Sequence, residues 1–197
     1  DGWSVKSMIR QIVLSRAYRR ASTGESAGQT DDPENRLLWR SNRKHLSAEA
    51  IRDSVLSVSG QLDMQQGGPT IRKFSQYDLG YEFDTIRRSV YVPFFRNSML
   101  EVLEVFNAAN PNVTTGRRTE TTLPTQALYM LNSPFMNAEA RRAGGRLARV
   151  DTTDTLRVRM AYRLVLGREP RADEAGLALE FLGQTDTGDW TALLHSL

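Results

Sequence analysis

Apolar positions recur through most of this chain at three- and four-residue spacing, the period of helices that bury one stripe. Val5, Met8, Ile9, Ile12 and Val13 predict a helix over residues 4–20. Residues 21–32 hold Ser, Thr, Gly and Gln with little to bury and read as a loop. Asp32-Pro33 then opens a short helical stretch through Leu37, Leu38 and Trp39, with Asp32 as N-cap and Pro33 at the first helical position. Ser47 caps a longer helix whose Ile51, Val55 and Val58 face inward, and Gly60 fits its end.

Residues 61–86 are the least regular. Gly67-Gly68-Pro69 is a break, and the aromatic and polar mixture over residues 74–83 reads as an insertion. Arg88-Ser89-Val90-Tyr91-Val92 is β-branched and aromatic and stops at Pro93, so it is the best strand candidate, paired with the stretch around residues 70–74. Ser98-Met99-Leu100-Glu101 has the capping-box pattern and starts a short helix with Leu100, Leu103 and Phe106. After a polar loop over residues 107–122, Pro124 starts a helix through Leu131, and Ser133-Pro134 starts another running to about Arg149. Leu156, Met160 or Ala161, Leu164 and Val165 mark a helix over residues 154–166, ended by Gly167 and Pro170. Residues 172–182 form the next, and Asp189 caps the last. The expected architecture is mainly α: an irregular multi-helix domain with long loops and at most a small β element near residues 70–74 and 88–92.

A length of 197 residues suits one globular domain or two small ones, and 40% hydrophobic with 25% charged residues excludes wholesale disorder. The absence of cysteine excludes disulfides, thiolate metal sites and covalent haem attachment within this chain. No apolar run approaches bilayer length. The net charge is +3, carried by 23 Arg against 3 Lys. Acids are interspersed with the arginines, which argues against nucleic acid as a partner. The start, Asp1-Gly2-Trp3-Ser4, has no signal-peptide pattern, and residues 190–197 read as a helix cut before its stop, so the chain is expected to be a segment of a longer protein.

The most polar block with candidate chemistry lies between Asn110 and Asn132. Asn112, Arg117, Arg118, Thr121, Thr125 and Gln126, with Arg96 nearby, could hold a sulfate, a carboxylate or an acidic glycan beside a helix N-terminus. The same groups more readily serve as structure, with Thr122 and Asn132 or Ser133 capping helix ends and the arginines satisfying buried carbonyls or pairing with Glu101 or Glu104. Glu49 and Asp53 lie one helical turn apart, a spacing open to acid–base work but also to ion pairs with Arg36, Arg40, Arg43 or Arg52. His45 and His195 belong to no metal-binding motif, and no serine lies in Gly-x-Ser-x-Gly. Trp3, Trp39 and Trp190 read as core or contact residues, with an exposed Trp39 as a sugar platform the other option.

The ordered series Asp32-Pro33-Glu34-Asn35-Arg36-Leu37-Leu38-Trp39-Arg40, Arg43, Leu46, Glu49-Ala50-Ile51-Arg52-Asp53, Gly67-Gly68-Pro69, Arg87-Arg88-Ser89-Val90-Tyr91, Asn110-Pro111-Asn112, Gly116-Arg117-Arg118, Thr121-Thr122-Leu123-Pro124-Thr125-Gln126-Ala127-Leu128, Asn132-Ser133-Pro134-Phe135 and Ala161-Tyr162-Arg163 with Leu166-Gly167-Arg168 resembles the planctomycete surface domain of the first type. The resemblance spans nearly the whole chain, 1–197, as a single family domain truncated at both ends; a split into helical subdomains 1–149 and 150–197 stays open. It implies export to the periplasm or cell surface and a large parent protein. In the family such parents typically carry a cytochrome c domain and a second planctomycete-specific domain upstream, sometimes with a lectin-like domain between. Any c-type haem would lie elsewhere in the parent, with no cofactor or metal in this segment. The stretch Tyr162 to Pro170, followed by Glu174, is similar to a helix–turn–helix hairpin of exported bacterial domains.

The expectation is therefore a non-catalytic interaction or scaffolding module whose partners are the upstream domains of its own chain. A binding module for anionic polysaccharide using Arg96, Arg117, Arg118 and Gln126 is the alternative. Part of a glycan-active enzyme with Glu49, Asp53 or Asp84 as acids is the third reading.

Overall fold

A computed structural model describes residues 2–22, 28–71, 81–119, 121–184 and 189–197. It is mainly helical, and forms two compact units, Asp1–His45 and Leu46–Leu197. The expected insertion over residues 74–83 and the expected strand partner over residues 70–74 fall mostly outside the described residues.

In the first unit, α1 spans Val5–Leu14, with the Ser4 hydroxyl accepting from Ser7 N at 3.3 Å as its N-cap. It stops short of the expected residue 20, because Ser15 is extended and its hydroxyl takes Tyr18 N at 3.2 Å, turning the chain. A single turn, α2, spans Gly28–Asp31. Asp32 does cap: its carboxylate accepts from Arg36 N at 2.9 Å and Leu37 N at 2.6 Å. Residues 33–39, however, are turns and not the expected helix. Asn35 sits in the left-handed region (φ 57°), and its side chain bonds both Arg40 N and Arg40 O, folding the segment back on itself. Trp39 donates its indole N–H to Asp32 O at 2.8 Å. Its ring lies so close to Gly28 that a Cβ there would sit 2.5 Å from Trp39 Cγ.

The second unit contains α3 (Ala48–Ser59), α4 (Glu101–Val105), α5 (Pro124–Asn132), α6 (Pro134–Ala148), α7 (Asp154–Leu166), α8 (Ala172–Gly183) and α9 (Trp190–Ser196). Local punctuation sets several ends. Ser47, Ser133, Thr153 and Asp189 each cap with a side-chain oxygen, and Gly60 and Gly167 close α3 and α7 in the left-handed conformation. The buried stripe of α3 is Ala48, Arg52, Leu56 and Ser59, one position off the expected Ile51, Val55 and Val58, which are half-buried.

Apolar burial gathers in two clusters. One joins Ala48, Val92, Val102, Leu103, Tyr129 and Met136. The other joins Ala143, Leu147, Val158, Ala161, Tyr162, Ala178, Leu182, Trp190, Leu193 and Leu194. Helix α6 contributes to both. Its Gly144 lets α9 approach closely: an added Cβ would meet Thr191 N at 2.8 Å.

Residues 88–92 are not a strand. Ser89–Tyr91 form a 3-10 turn, and pairing here reduces to one isolated bridge between Asp63 and Arg87. The cause is tertiary. Ser89 gives its N–H and its hydroxyl proton to the Asp53 carboxylate at 2.8 and 2.7 Å, and Arg52 donates to Ser89 Oγ and to the carbonyls of Arg87 and Thr85. Those bonds occupy the groups a sheet ladder would use. Arg87 packs over the Tyr91 ring at 3.9 Å and donates to the carbonyls of Gln65 and Gly67, while Gly67 N donates to Tyr91 Oη at 2.8 Å. The Gly67-Gly68 break, left-handed at both residues, is thereby clamped.

Candidate functional site

The end of α4 builds the candidate site. Asn107 adopts the left-handed conformation (φ 57°) that asparagine tolerates, and Ala108 N reaches back to Leu103 O at 2.8 Å, so the chain leaves the helix sharply. Asn107 Nδ2 donates to Thr121 Oγ1 at 2.6 Å, which ties the start of the following loop to its end. Within that loop Asn110 Oδ1 accepts from Asn112 N at 2.8 Å, and Asn112 Nδ2 donates to Arg96 O at 2.9 Å. Residues 95–98 and 107–119 become the two walls of an open groove of about 510 Å³. Phe95 lies on its lining and is positioned by an edge-to-face contact with Tyr81, centroids 5.0 Å apart. Two arginines, Arg96 and Arg118, and one carboxylate, Glu104, also line it.

Three of the seven sequence candidates, Arg96, Asn112 and Arg118, meet at this groove. Arg96 is exposed, and its guanidinium has no ion-pair partner among the described residues. The same is true of Arg117 next to the lining. Arg118 is engaged: its Nη1 bonds Glu49 Oε2 at 2.7 Å, joining the groove to the first turn of α3 across the sequence. That hydrogen bond holds the Glu49 carboxyl below its ordinary range against the opposing effect of burial, and raises the Arg118 guanidinium.

The other candidates serve elsewhere. Thr121 accepts from Asn107. Gln126 spends its amide locally, with Oε1 taking Leu123 N and Nε2 donating to Val105 O, both at 3.2 Å. It ties α5 to α4 and closes the helix start that Thr122 was expected to cap; the N-cap is Leu123. Likewise Leu100, without a side-chain cap bond, stands at the start of α4 in place of Ser98. Thr125 is exposed on α5.

Glu49 and Asp53 do not work as a pair, since Glu49 turns to Arg118 and Asp53 to Ser89. His45 is exposed, and His195 Nε2 lies 2.9 Å from Met130 O. Among the described residues no group of three or more His, Cys, Asp or Glu is placed to hold a metal ion, and no helix is long and apolar enough to cross a membrane. In the hairpin between α7 and α8, Arg168 grips both oxygens of Glu174 at 2.7 Å, and Glu174 also accepts from Arg171 N at 2.8 Å.

Sequence reasoning missed the network of Arg52, 2% exposed and bonded to three residues of the 85–89 segment. A signal was present: an arginine four residues from Ala48 and four from Leu56 stands on one helical stripe with them.

A second feature is apolar. No residue of α1 is buried, and Val5, Met8, Ile9 and Ile12 are 63, 56, 52 and 50% exposed along one face. Trp3 beside it is fully exposed.

The family described as PSD1, protein of unknown function (DUF1553), matches residues 1–182. The chain belongs to that family. The PSD1 match runs through the whole first unit and into the last turn of α8, so the groove and the α1 face both lie inside it. PSD1 is the planctomycete domain that the ordered motifs resemble. Comparison of this PSD1 chain with curated proteins and with solved structures gave no match.

Proposed function

We propose that this PSD1 domain is a non-catalytic interaction module of a larger exported, cytochrome-bearing protein, and that it packs against an upstream domain of its own parent chain through the apolar face of α1. The observation that carries this reading is the exposure of Val5, Met8, Ile9 and Ile12 on one stripe. Burying side chains of this size is worth about 1.5–3 kcal/mol each. A helix of ten residues is marginal by itself and draws its stability from such burial. Export and the cytochrome context rest on the family resemblance, and the engagement of Glu49 and Asp53 by separate partners favours an interaction role over a paired-carboxylate enzyme.

Hydrogen exchange on α1 tests this, comparing the parent protein with the 197-residue chain. The expected result is strong protection of the α1 amides in the parent only, lost again in a parent carrying Ile9→Glu. Equal exchange in parent and chain would overturn the proposal.

A further inference from the structure

We propose that the groove between residues 95–98 and 107–119 binds a polysaccharide bearing carboxylates, and that Glu49 is a built-in occupant which a uronate carboxylate displaces from Arg118. This goes beyond the docking reading and does not depend on it, because the groove and α1 belong to different units.

Arg118 already holds a carboxylate at 2.7 Å, so its position and donor geometry suit that group. The pair is partly open to water, the two side chains being 42 and 25% exposed. An ion pair this exposed is weak, because water screens it and both side chains lose freedom to hold it. Exchanging the Glu49 carboxylate for one on a ligand therefore costs little, whereas a buried pair would not open. Arg96 supplies a second guanidinium without an ion-pair partner among the described residues, and Arg117 a third beside the lining. Arginine pairs with a planar carboxylate in a fork that lysine cannot reproduce.

The uncharged lining fits the rest of a sugar. The bonds that lock Asn110 and Asn112 use one oxygen and one amide group between them, leaving Asn110 Nδ2 and Asn112 Oδ1 for sugar hydroxyls. Phe95 offers an apolar ring, and Thr115 a hydroxyl oxygen. A volume of about 510 Å³ lies within the usual range for ligand sites. An open groove suits a segment of polymer better than an enclosed metabolite. Glu104 on the lining sets the charge density, since its carboxylate repels a densely sulfated chain more than one with a single charge per sugar.

The test is titration calorimetry of the full chain with oligogalacturonate, dextran sulfate and neutral dextran, at about 0.15 M salt so that diffuse attraction is screened. Oligogalacturonate should bind in preference to both others. Arg96→Ala and Arg118→Ala should each weaken it about tenfold, the loss of one charge-assisted contact. Glu49→Gln should strengthen it about threefold, the size of the ion pair removed. Glu180→Gln on α8, an equal change in net charge away from the groove, should leave it unchanged. Tighter binding of dextran sulfate than of oligogalacturonate, insensitive to these substitutions, would reduce the groove to a general basic surface and overturn the proposal. So would weaker or unchanged binding by Glu49→Gln, or no oligogalacturonate binding by either form. Retained binding by Ile9→Glu separates this outcome from that of the docking experiment.

Discussion

Arg52 is the residue on which the second unit turns. It is buried on α3, pairs with Asp53 at 3.6 Å and donates to the carbonyls of Thr85 and Arg87. Burial pushes its guanidinium below the ordinary arginine value, and the Asp53 carboxylate opposes that shift. Replacing it by methionine keeps much of the volume, leaves those carbonyls without their donor and takes from Asp53 its ion-pair partner. The expected loss is about 3 kcal/mol, read from urea denaturation. Arg52→Lys should recover only part, because one ammonium cannot reproduce the fork. Glu174 gives a pH signature. Hydrogen bonds from Arg168 and from Arg171 N lower its pKa from 4.5 to about 2. A lowered carboxyl contributes stability that is complete above about 4.5 and lost as pH falls towards about 2. Glu174→Gln should therefore lower the denaturation midpoint at pH 6 and leave it nearly unchanged near pH 2; equal effects at both would show that the charge is not what matters.

Among the elements, the close approach of α6 and α9 is the most demanding. Gly144→Ala would press a Cβ against Thr191 backbone, and overpacking of this kind costs about 1–3 kcal/mol. Ser47→Ala removes the cap bond to Ala50 N and should cost about 1 kcal/mol. Both are measured as shifts in thermal midpoint against the parent sequence. Caps such as Ser47 and Ser133, and stops such as Gly60 and Gly167, were legible beforehand because their partners lie within a turn. The 3-10 turn over Ser89–Tyr91 was not legible, because its β-branched and aromatic composition is overridden by Asp53 and Arg52 on α3. The segment after Asp32 failed for a related reason. The capping carboxylate was read correctly, but Asn35 closes the chain into turns before a helix can propagate.

For the molecule as a whole, the two units answer different tests. Ile9→Glu should change the stability of this chain by no more than about 0.5 kcal/mol, since Ile9 is already half exposed. Under the docking proposal its effect is expected only in the parent protein. Of the candidate groove, the sequence showed the arginines and asparagines but not their division of labour. Arg118 meets Glu49 from 69 residues away, a pairing no local spacing reveals. Gln126 and Thr121 looked alike as ligand groups, yet each is consumed by a bond that shapes the loop. The shared helix α6 has a further consequence. Met136 near its start belongs to one apolar cluster, and Ala143 and Leu147 near its end to the other. Neither cluster can melt without stranding half of the same helix, so their stabilities are thermodynamically coupled. Amides along residues 136–147 should exchange only through one global opening, and damage at Val102 should loosen Trp190 as surely as damage beside it.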